Sequence, residues 1–93
     1  MYRNTFNSIT QNYYEELAQI ANNLGVNKLT LGLYEHSIPH FEEAITLNKS
    51  YYLAHYNKGL AFFNLAKTYS TKAEILLRMR RYHEALIRGR TSS

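Results

Sequence analysis

The sequence contains no cysteine, no tryptophan and no aspartate, and only one proline and four glycines among its 93 residues. The lack of cysteine excludes a disulfide framework and any site built on a thiolate. The scarcity of proline and glycine, with a hydrophobic fraction of 45%, argues against a disordered chain. All seven acidic residues are glutamate, which favours helix formation more than aspartate does. The composition therefore indicates a globular, helix-forming chain.

Long apolar runs are also missing from the sequence. No stretch approaches the roughly 18 to 20 apolar residues that a membrane-spanning helix needs. The first residues, Met1-Tyr2-Arg3-Asn4-Thr5, lack the apolar core of a secretion signal. We therefore expect no membrane partner, no secretion, and a location in the cytoplasm or in an organelle interior.

The positive charge is concentrated in the last third of the chain. Residues 67–93 hold seven cations against two glutamates, whereas residues 1–66 hold four cations against five glutamates. Five of the seven C-terminal cations are arginine. The net charge of +4 therefore comes from the C-terminal third.

Apolar residues recur at three- and four-residue steps, which predicts amphipathic helices and no strands. The inward face predicted for the first helix consists of Ile9, Tyr13, Leu17, Ile20 and Leu24. Capping boxes at Ser8-Gln11 and Thr71-Glu74 predict the starts of the first and fourth helices. Gly32 and Gly89 follow apolar helical patterns, as terminating glycines do. We expect one all-α domain over residues 1–93, an antiparallel helix-turn-helix stack of four helices at about residues 9–31, 35–48, 51–67 and 71–88, with 89–93 as a frayed tail.

Two residues could interrupt the predicted helices. Gly25 either ends the first helix early or lets a neighbouring helix approach closely, and the apolar pattern that continues to Leu31 favours close approach. Pro39 fits the first turn of the second helix, where its missing N–H has no partner to lose. If that helix began before Glu35, Pro39 would cost about 3 kcal/mol.

A self-match with a period of 34 residues is the strongest signal in the chain. It relates Gly25 to Gly59, Leu31 to Leu65, and Gly32 to Ala66. A period near 34 is typical of a helix-turn-helix repeat, which cannot bury its apolar face unless it stacks on another repeat.

The residues of this period resemble those of the tetratricopeptide repeat family. Residues 18–51 carry the family's Leu-Gly of helix A, its Leu-Gly-x-Tyr between helices, and its small, aromatic and alanine positions of helix B. They are Leu24, Gly25, Leu31, Gly32, Tyr34, Ser37, Phe41 and Ala44.

A second, imperfect repeat follows at residues 52–88. Gly59, Phe62, Leu65 and Ala66 are in step with the first repeat, but the helix-B alanine position holds Arg78. Because Gly25 and Gly59 both occupy the small helix-A position of the family, the resemblance implies that both lie at close helix crossings. The segment Tyr82-His83-Glu84-Ala85 looks like another helix B that lies out of phase by 14 residues. Helix four could therefore be helix B of the second repeat or the start of a third.

The resemblance implies a non-enzymatic adaptor that binds a protein or peptide in the groove of its A helices. The positions that would line this groove are Asn22, Val26, Leu29, Tyr56, Leu60 and Phe63. Some family members hold an acidic C-terminus with lysine and asparagine at two positions of helix A. Those positions are Asn22 and Val26 in the first repeat and Tyr56 and Leu60 in the second, so no cation stands there and no carboxylate clamp is predicted. The same residues could instead pack against another helix or a second copy of the chain.

Three further residue patterns concern nucleic-acid binding, metal binding and catalysis. Arg78, Arg80, Arg81 and Arg88 form a candidate anion or nucleic-acid patch, which makes nucleic acid the alternative partner. His36, His40 and Glu43 have the spacing of a metal site but lack a fourth ligand, and we predict neither metal nor cofactor. No acid/base or nucleophile constellation is present, so we predict no enzyme.

Helix four predicts self-association. Its apolar residues cover more than half of its circumference, whereas one internal neighbour buries a stripe only a little over 100° wide. We therefore expect a two-fold dimer through helix four. The surplus residues are Ile75, Leu76, Leu77, Met79, Leu86 and Ile87.

Overall fold

The structure is a computed structural model that describes residues 2–91, with side chains described from residue 7 to residue 90. These residues form three α-helices, α1 (Tyr2–Thr30), α2 (Tyr34–Leu47) and α3 (Tyr52–Thr91), and contain no strand. The all-α class is confirmed. The count of four is wrong, because the predicted third and fourth helices are one helix of 40 residues.

A glycine ends α1 and lets the chain reverse into α2. Gly32 has φ +78°, a conformation that costs other residues about 1 to 2 kcal/mol. The Gly32 N–H donates to the Leu29 carbonyl at 3.0 Å, and the Leu33 N–H donates to the Lys28 carbonyl at 2.9 Å. These two bonds form a Schellman motif. The predicted role of Gly32 as helix terminator is confirmed.

The absence of a comparable glycine explains why α3 is continuous. Ala66 lies 34 residues after Gly32, and Arg80 lies two residues before Tyr82 as Gly32 lies two before Tyr34. Neither residue adopts the left-handed conformation readily, so the helix has no terminator at either place. The predicted cap at Thr71 is therefore wrong: its Oγ1 donates to the Lys67 carbonyl at 3.0 Å within the helix.

α1 begins earlier and α3 ends later than predicted. α1 begins at Tyr2 rather than near residue 9, so Ser8 lies inside the helix instead of capping it. α3 continues through Gly89 to Thr91, because a single glycine weakens a helix by about 1 kcal/mol without ending it. Residues 92 and 93 of the predicted tail lie outside the described residues.

The α1–α2 hairpin is built on the contact between Gly25 and Phe41. Phe41 is fully buried, and a Cβ atom placed on Gly25 would lie 2.5 Å from Phe41 Cε1. Only a residue without a side chain allows α2 to approach α1 this closely. The predicted close crossing at Gly25 is confirmed.

Small residues, rather than large ones, form the core around this contact. The buried hydrophobic residues among those described are Phe41 and five alanines, Ala18, Ala21, Ala44, Ala54 and Ala61. Larger residues predicted to face inward are mostly exposed, including Ile9, Tyr13, Ile20 and Leu24 of α1. That assignment was wrong because alanine and glycine permit close helix contact, which leaves the larger side chains outside.

Pro39 lies deeper in α2 than predicted. The helix begins at Tyr34, so Pro39 is its sixth residue and lies beyond the first turn. A proline there removes one backbone hydrogen bond and crowds the preceding turn, at a cost of about 3 kcal/mol. The burial of Ser37, Phe41 and Ala44 on the same helix explains why the helix still forms.

α3 runs antiparallel to α2 and parallel to α1. Lys58 Nζ lies 3.7 Å from Glu42 Oε1 toward the C-terminal end of α2, and the Tyr69 hydroxyl donates to the Glu35 carboxylate at the N-terminal end of α2. Beyond this point residues 73–91 of α3, which we call the arm, project past the end of the hairpin. The molecule measures 91 × 18 × 13 Å, and its radius of gyration of 22.9 Å is nearly twice the roughly 12 Å of a compact domain of this length.

Gly59 does not lie at a helix crossing. No described atom outside its own helix turn lies within 4 Å of a Cβ placed on Gly59. The prediction for Gly59 was wrong because it required the arm to fold back on α3, as α2 folds back on α1. A strip of α3 defined by His55, Gly59, Phe62 and Ala66 is consequently exposed.

Candidate protein-binding groove

A buried pair of asparagines joins α1 to α3. The Asn57 Nδ2 donates to Asn22 Oδ1 at 3.1 Å, and the two residues are only 7% and 2% exposed. Among the described residues, no buried side-chain nitrogen or oxygen lacks a partner. Asn22 was predicted to line the groove, but its amide is engaged in this joint. The joint is a feature that sequence reasoning missed.

The other predicted groove residues follow the asparagine joint along both helices. Val26 and Leu29 lie one and two helical turns C-terminal to Asn22 on α1 and are half-buried. On α3, Tyr56 is adjacent to Asn57, and Leu60 and Phe63 continue in the same direction. Because α1 and α3 are parallel, both rows run in the same direction from the joint. At about 100° per residue, Leu60 lies toward α1, whereas Tyr56 and Phe63 turn about 100° or more away from Asn57 and lie on the outer edge of the groove.

The groove surface is open and contains no charged side chain in its predicted rows. Tyr56 and Phe63 are 67% and 66% exposed, whereas Leu60 is half-buried. Aromatic side chains presented in this way supply a large apolar contact area and, for tyrosine, one hydroxyl for hydrogen bonding. Such a surface suits the apolar side chains of a protein partner better than a free carboxylate.

All four arginines of the predicted anion patch lie on the exposed arm. Arg80 Nε donates to Glu84 Oε1 at 3.1 Å, one turn away. Arg78 and Arg81 line a shallow cavity of about 500 Å³ with Tyr82 and Ala85. At about 100° per residue, Arg88 shares a side of the helix with Arg81, and Arg80 lies toward another edge. The patch is therefore divided rather than continuous.

A second cavity marks the place where the hairpin ends against α3. It measures about 490 Å³ and lies between Tyr34 at the start of α2 and Ile75 and Leu76 at the start of the arm. Thr68 and Thr71 also line it. The hairpin therefore stops covering α3 at about this level.

One titratable group next to this junction has a shifted pKa. The hydrogen bond from Tyr69 to the Glu35 carboxylate, and the negative charge of that carboxylate, raise the pKa of Tyr69 above its usual value. Both effects favour the protonated phenol. The pair links α3 to α2 at the last level where the two helices meet.

The described residues form neither a metal-ligand cluster nor a membrane-spanning helix. Among residues 2–91, no three metal-ligating side chains form a cluster, and this includes the region of His36, His40 and Glu43. No described helix is sufficiently long and apolar to cross a membrane.

Comparison with known families gives one match. Residues 18–51 match the sequence model of the tetratricopeptide repeat, and they are the residues of α1 and α2 that pack through Gly25 and Phe41. The chain contains a tetratricopeptide repeat. Repeats of this family generally mediate protein–protein interactions. Residues 52–91 lie outside the matched segment.

A curated relative supports the same assignment. The chain is 33% identical over 64 residues to a TPR repeat-containing protein of Borreliella burgdorferi. The aligned part covers 69% of this chain but only 28% of that relative. No solved structure was found to match the chain.

Proposed function

We propose that this chain is a non-enzymatic interaction module that binds a protein segment in the groove between α1 and α3. The observation that carries the proposal is the exposure of Tyr56 and Phe63 on a helix that the buried Asn22–Asn57 pair holds beside α1. Exposed aromatic residues on a fixed helical surface are typical of binding hot spots.

The chemistry of the groove favours an apolar segment as the ligand. Val26, Leu29, Leu60 and Phe63 offer only hydrocarbon surface, and Tyr56 adds a hydroxyl. Without a cation in these rows, a C-terminal carboxylate would lose its hydration without gaining an ion pair, which is unfavourable. We therefore expect the partner to contribute apolar side chains, with an affinity that depends weakly on salt.

Site-specific photo-crosslinking tests this proposal. A benzophenone side chain replaces Phe63 in the groove, and a matched chain carries it at Phe62, which points about 100° away on the same helix. Both proteins are irradiated in a native extract, and the crosslinked products are identified by mass spectrometry. We expect one partner protein from position 63 and not from position 62. Equal capture at both positions, or at neither, would overturn the groove.

Nucleic acid remains the alternative ligand, because Arg78 and Arg81 flank Tyr82 in the arm cavity. Phosphate contacts release counterions, so binding of a single-stranded oligonucleotide would fall steeply and linearly in a plot of log affinity against log salt. An Arg78→Glu/Arg81→Glu variant would abolish that binding. The same variant should leave crosslinking from position 63 unchanged if the groove binds protein.

A further inference from the structure

One face of α3 runs without interruption from the hairpin into the arm. Its residues recur at alternating steps of four and three, the spacing that keeps them on one side of a helix. The upper part of this face packs on the hairpin: Ala54 and Ala61 are buried, and Leu65 is half-buried. The full series is Ala54, Lys58, Ala61, Leu65, Thr68, Lys72, Ile75, Met79, Tyr82 and Leu86.

The last four residues of this face form what we call the seam: Ile75, Met79, Tyr82 and Leu86. They are between 52% and 76% exposed, because the hairpin ends at the level of Tyr34 and Ile75. The seam is thus the exposed continuation of the face that packs against the hairpin in the N-terminal half of α3.

We propose that a second copy of this chain covers the seam, through antiparallel pairing of the two arms about a two-fold axis between residues 80 and 81. The four-three-four spacing of the seam reads the same in both directions. An antiparallel copy therefore brings Ile75 opposite Leu86 of the second copy, and Met79 opposite its Tyr82. Every seam residue gains an apolar partner, as in a two-stranded coiled coil.

The position of the hairpin selects the antiparallel orientation. The hairpin occupies the same face of α3 as the seam, so parallel arms would place two hairpins at one level on facing surfaces, where they would collide. Antiparallel arms place the hairpins at opposite ends of the dimer. Leu86 of the second copy then lies level with Ile75, and residues 87–91 of that copy lie level with residues 70–74, beside the cavity next to Tyr34 at the end of the hairpin.

The charges of the arm are compatible with this pairing. At about 100° per residue, Arg81 and Arg88 lie on the side opposite the seam and stay in water. Arg78 lies at the edge of the seam, where the antiparallel copy presents Ala85 rather than a like charge. The arms carry more arginine than glutamate, so their mutual repulsion weakens as salt is added. Added salt should therefore strengthen the dimer, the opposite of its effect on nucleic-acid binding.

The dimer uses a different side of α3 from the groove. Tyr56, Leu60 and Phe63 lie above the arm and outside the seam, so a dimer leaves the groove open to a ligand. Four seam residues from each copy make a small interface, which is typical of transient association. We therefore expect weak dimerisation, measurable between roughly 1 and 100 μM on the affinity scale.

Two matched variants test the surface by analytical ultracentrifugation across this concentration range. Met79→Glu places a charge in the seam, and Leu77→Glu places the same charge on the outward side of the arm. Both parent residues are exposed, at 62% and 53%, so neither change removes a core contact. We expect Met79→Glu to weaken dimerisation at least tenfold and Leu77→Glu to leave it within about twofold. A monomeric parent at high concentration, or equal effects of the two variants, would overturn the proposal.

Disulfide trapping tests the orientation, since the chain has no native cysteine. In an Ile75→Cys/Leu86→Cys variant the two positions are about 16 Å apart along one helix, too far for an internal bridge. Mild oxidation should yield a covalent dimer. The control variant, Ile75→Cys alone, should stay largely monomeric, because an antiparallel copy presents Leu86 rather than a second thiol, whereas a parallel copy would bring the two thiols together. Trapping of the control as efficiently as the seam variant would contradict the antiparallel seam.

Discussion

Residues 18–51 and residues 52–91 carry related sequence patterns but fold differently. In the first segment, Gly32 reverses the chain and Phe41 packs against Gly25, so the repeat closes on itself. In the second segment, Ala66 and Arg80 stand where a reversing glycine is needed, and one helix continues to Thr91. A single type of residue at one turn thus decides whether a repeat closes.

The same difference separates a closed core from open surfaces. The closed repeat buries alanines and one phenylalanine, whereas α3 exposes Phe62 beside Gly59 and the apolar residues of the arm. Exposed apolar patches of this kind mark interaction sites. The open second segment is therefore where we place both the groove aromatics and the seam.

The largest effect is expected where the two segments differ most directly. Gly25→Leu would force a side chain into the position of the Phe41 ring and should destabilise the fold by about 1 to 3 kcal/mol. Gly59→Leu meets open space and should gain up to about 1 kcal/mol from helix propensity. Urea denaturation measures both. Equal destabilisation would show that Gly59 is also covered by a helix.

The asparagine joint between the segments should contribute comparably. Asn57→Ala leaves the buried Asn22 amide without its partner, which costs about 1 to 3 kcal/mol. The double variant Asn22→Ala/Asn57→Ala should cost less than the sum of the two single changes, because the second change removes the unsatisfied group. Strict additivity in a denaturation cycle would mean that the two amides do not interact.

A glycine at position 66 should make the second segment behave more like the first. Ala66→Gly weakens α3 by about 1 kcal/mol and supplies the residue that permits a reversal. Ala85→Gly, within the arm, has the same propensity cost without a turn position. We expect small-angle scattering to show a smaller radius of gyration for Ala66→Gly than for Ala85→Gly. Identical values would mean that the missing glycine does not keep α3 straight.

The contact between Tyr69 and Glu35 should have the smallest effect. Because the pKa of Tyr69 is raised in the folded state, its contribution is present below the unfolded tyrosine pKa of about 10 and is lost as the pH rises through the folded value. Tyr69→Phe should therefore lower stability at neutral pH, and this loss should disappear at strongly alkaline pH, where Glu35 repels the ionised phenolate of the parent. An alkaline titration followed by tyrosine absorbance should show that the tyrosine lost in Tyr69→Phe is one whose pKa is raised in the parent. A variant without that change would refute the contact.

Sequence reasoning predicts the closed repeat well, because its signals are local. Gly32, Phe41 and Gly25 each have one structural role, and their spacing fixes a helix, a turn and a second helix. Sequence reasoning fails at Thr71, because a capping box there does not end the preceding helix, which contains no terminating glycine before this position. A capping side chain stabilises a start that already exists, but it does not interrupt a preceding helix.

The candidate groove stays a prediction, and the structure gives one of its residues another role. Tyr56 and Phe63 are exposed as a binding surface requires, but Asn22 was not identified as a buried partner of Asn57. That pairing depends on how α3 crosses α1, which is not encoded in the period of either helix. Large apolar residues were likewise assigned to the core, although close packing selected the alanines.

The distance between spin labels on Tyr56→Cys and Arg81→Cys tests the central claim, that α3 is one straight helix. Double electron–electron resonance is measured with labelled chains diluted in excess unlabelled chain, so that only distances within one molecule contribute. A continuous helix places the two backbone positions about 38 Å apart, from 25 residues at about 1.5 Å each. A distance below about 20 Å would show that the arm folds back as α2 does, and it would contradict the open second segment.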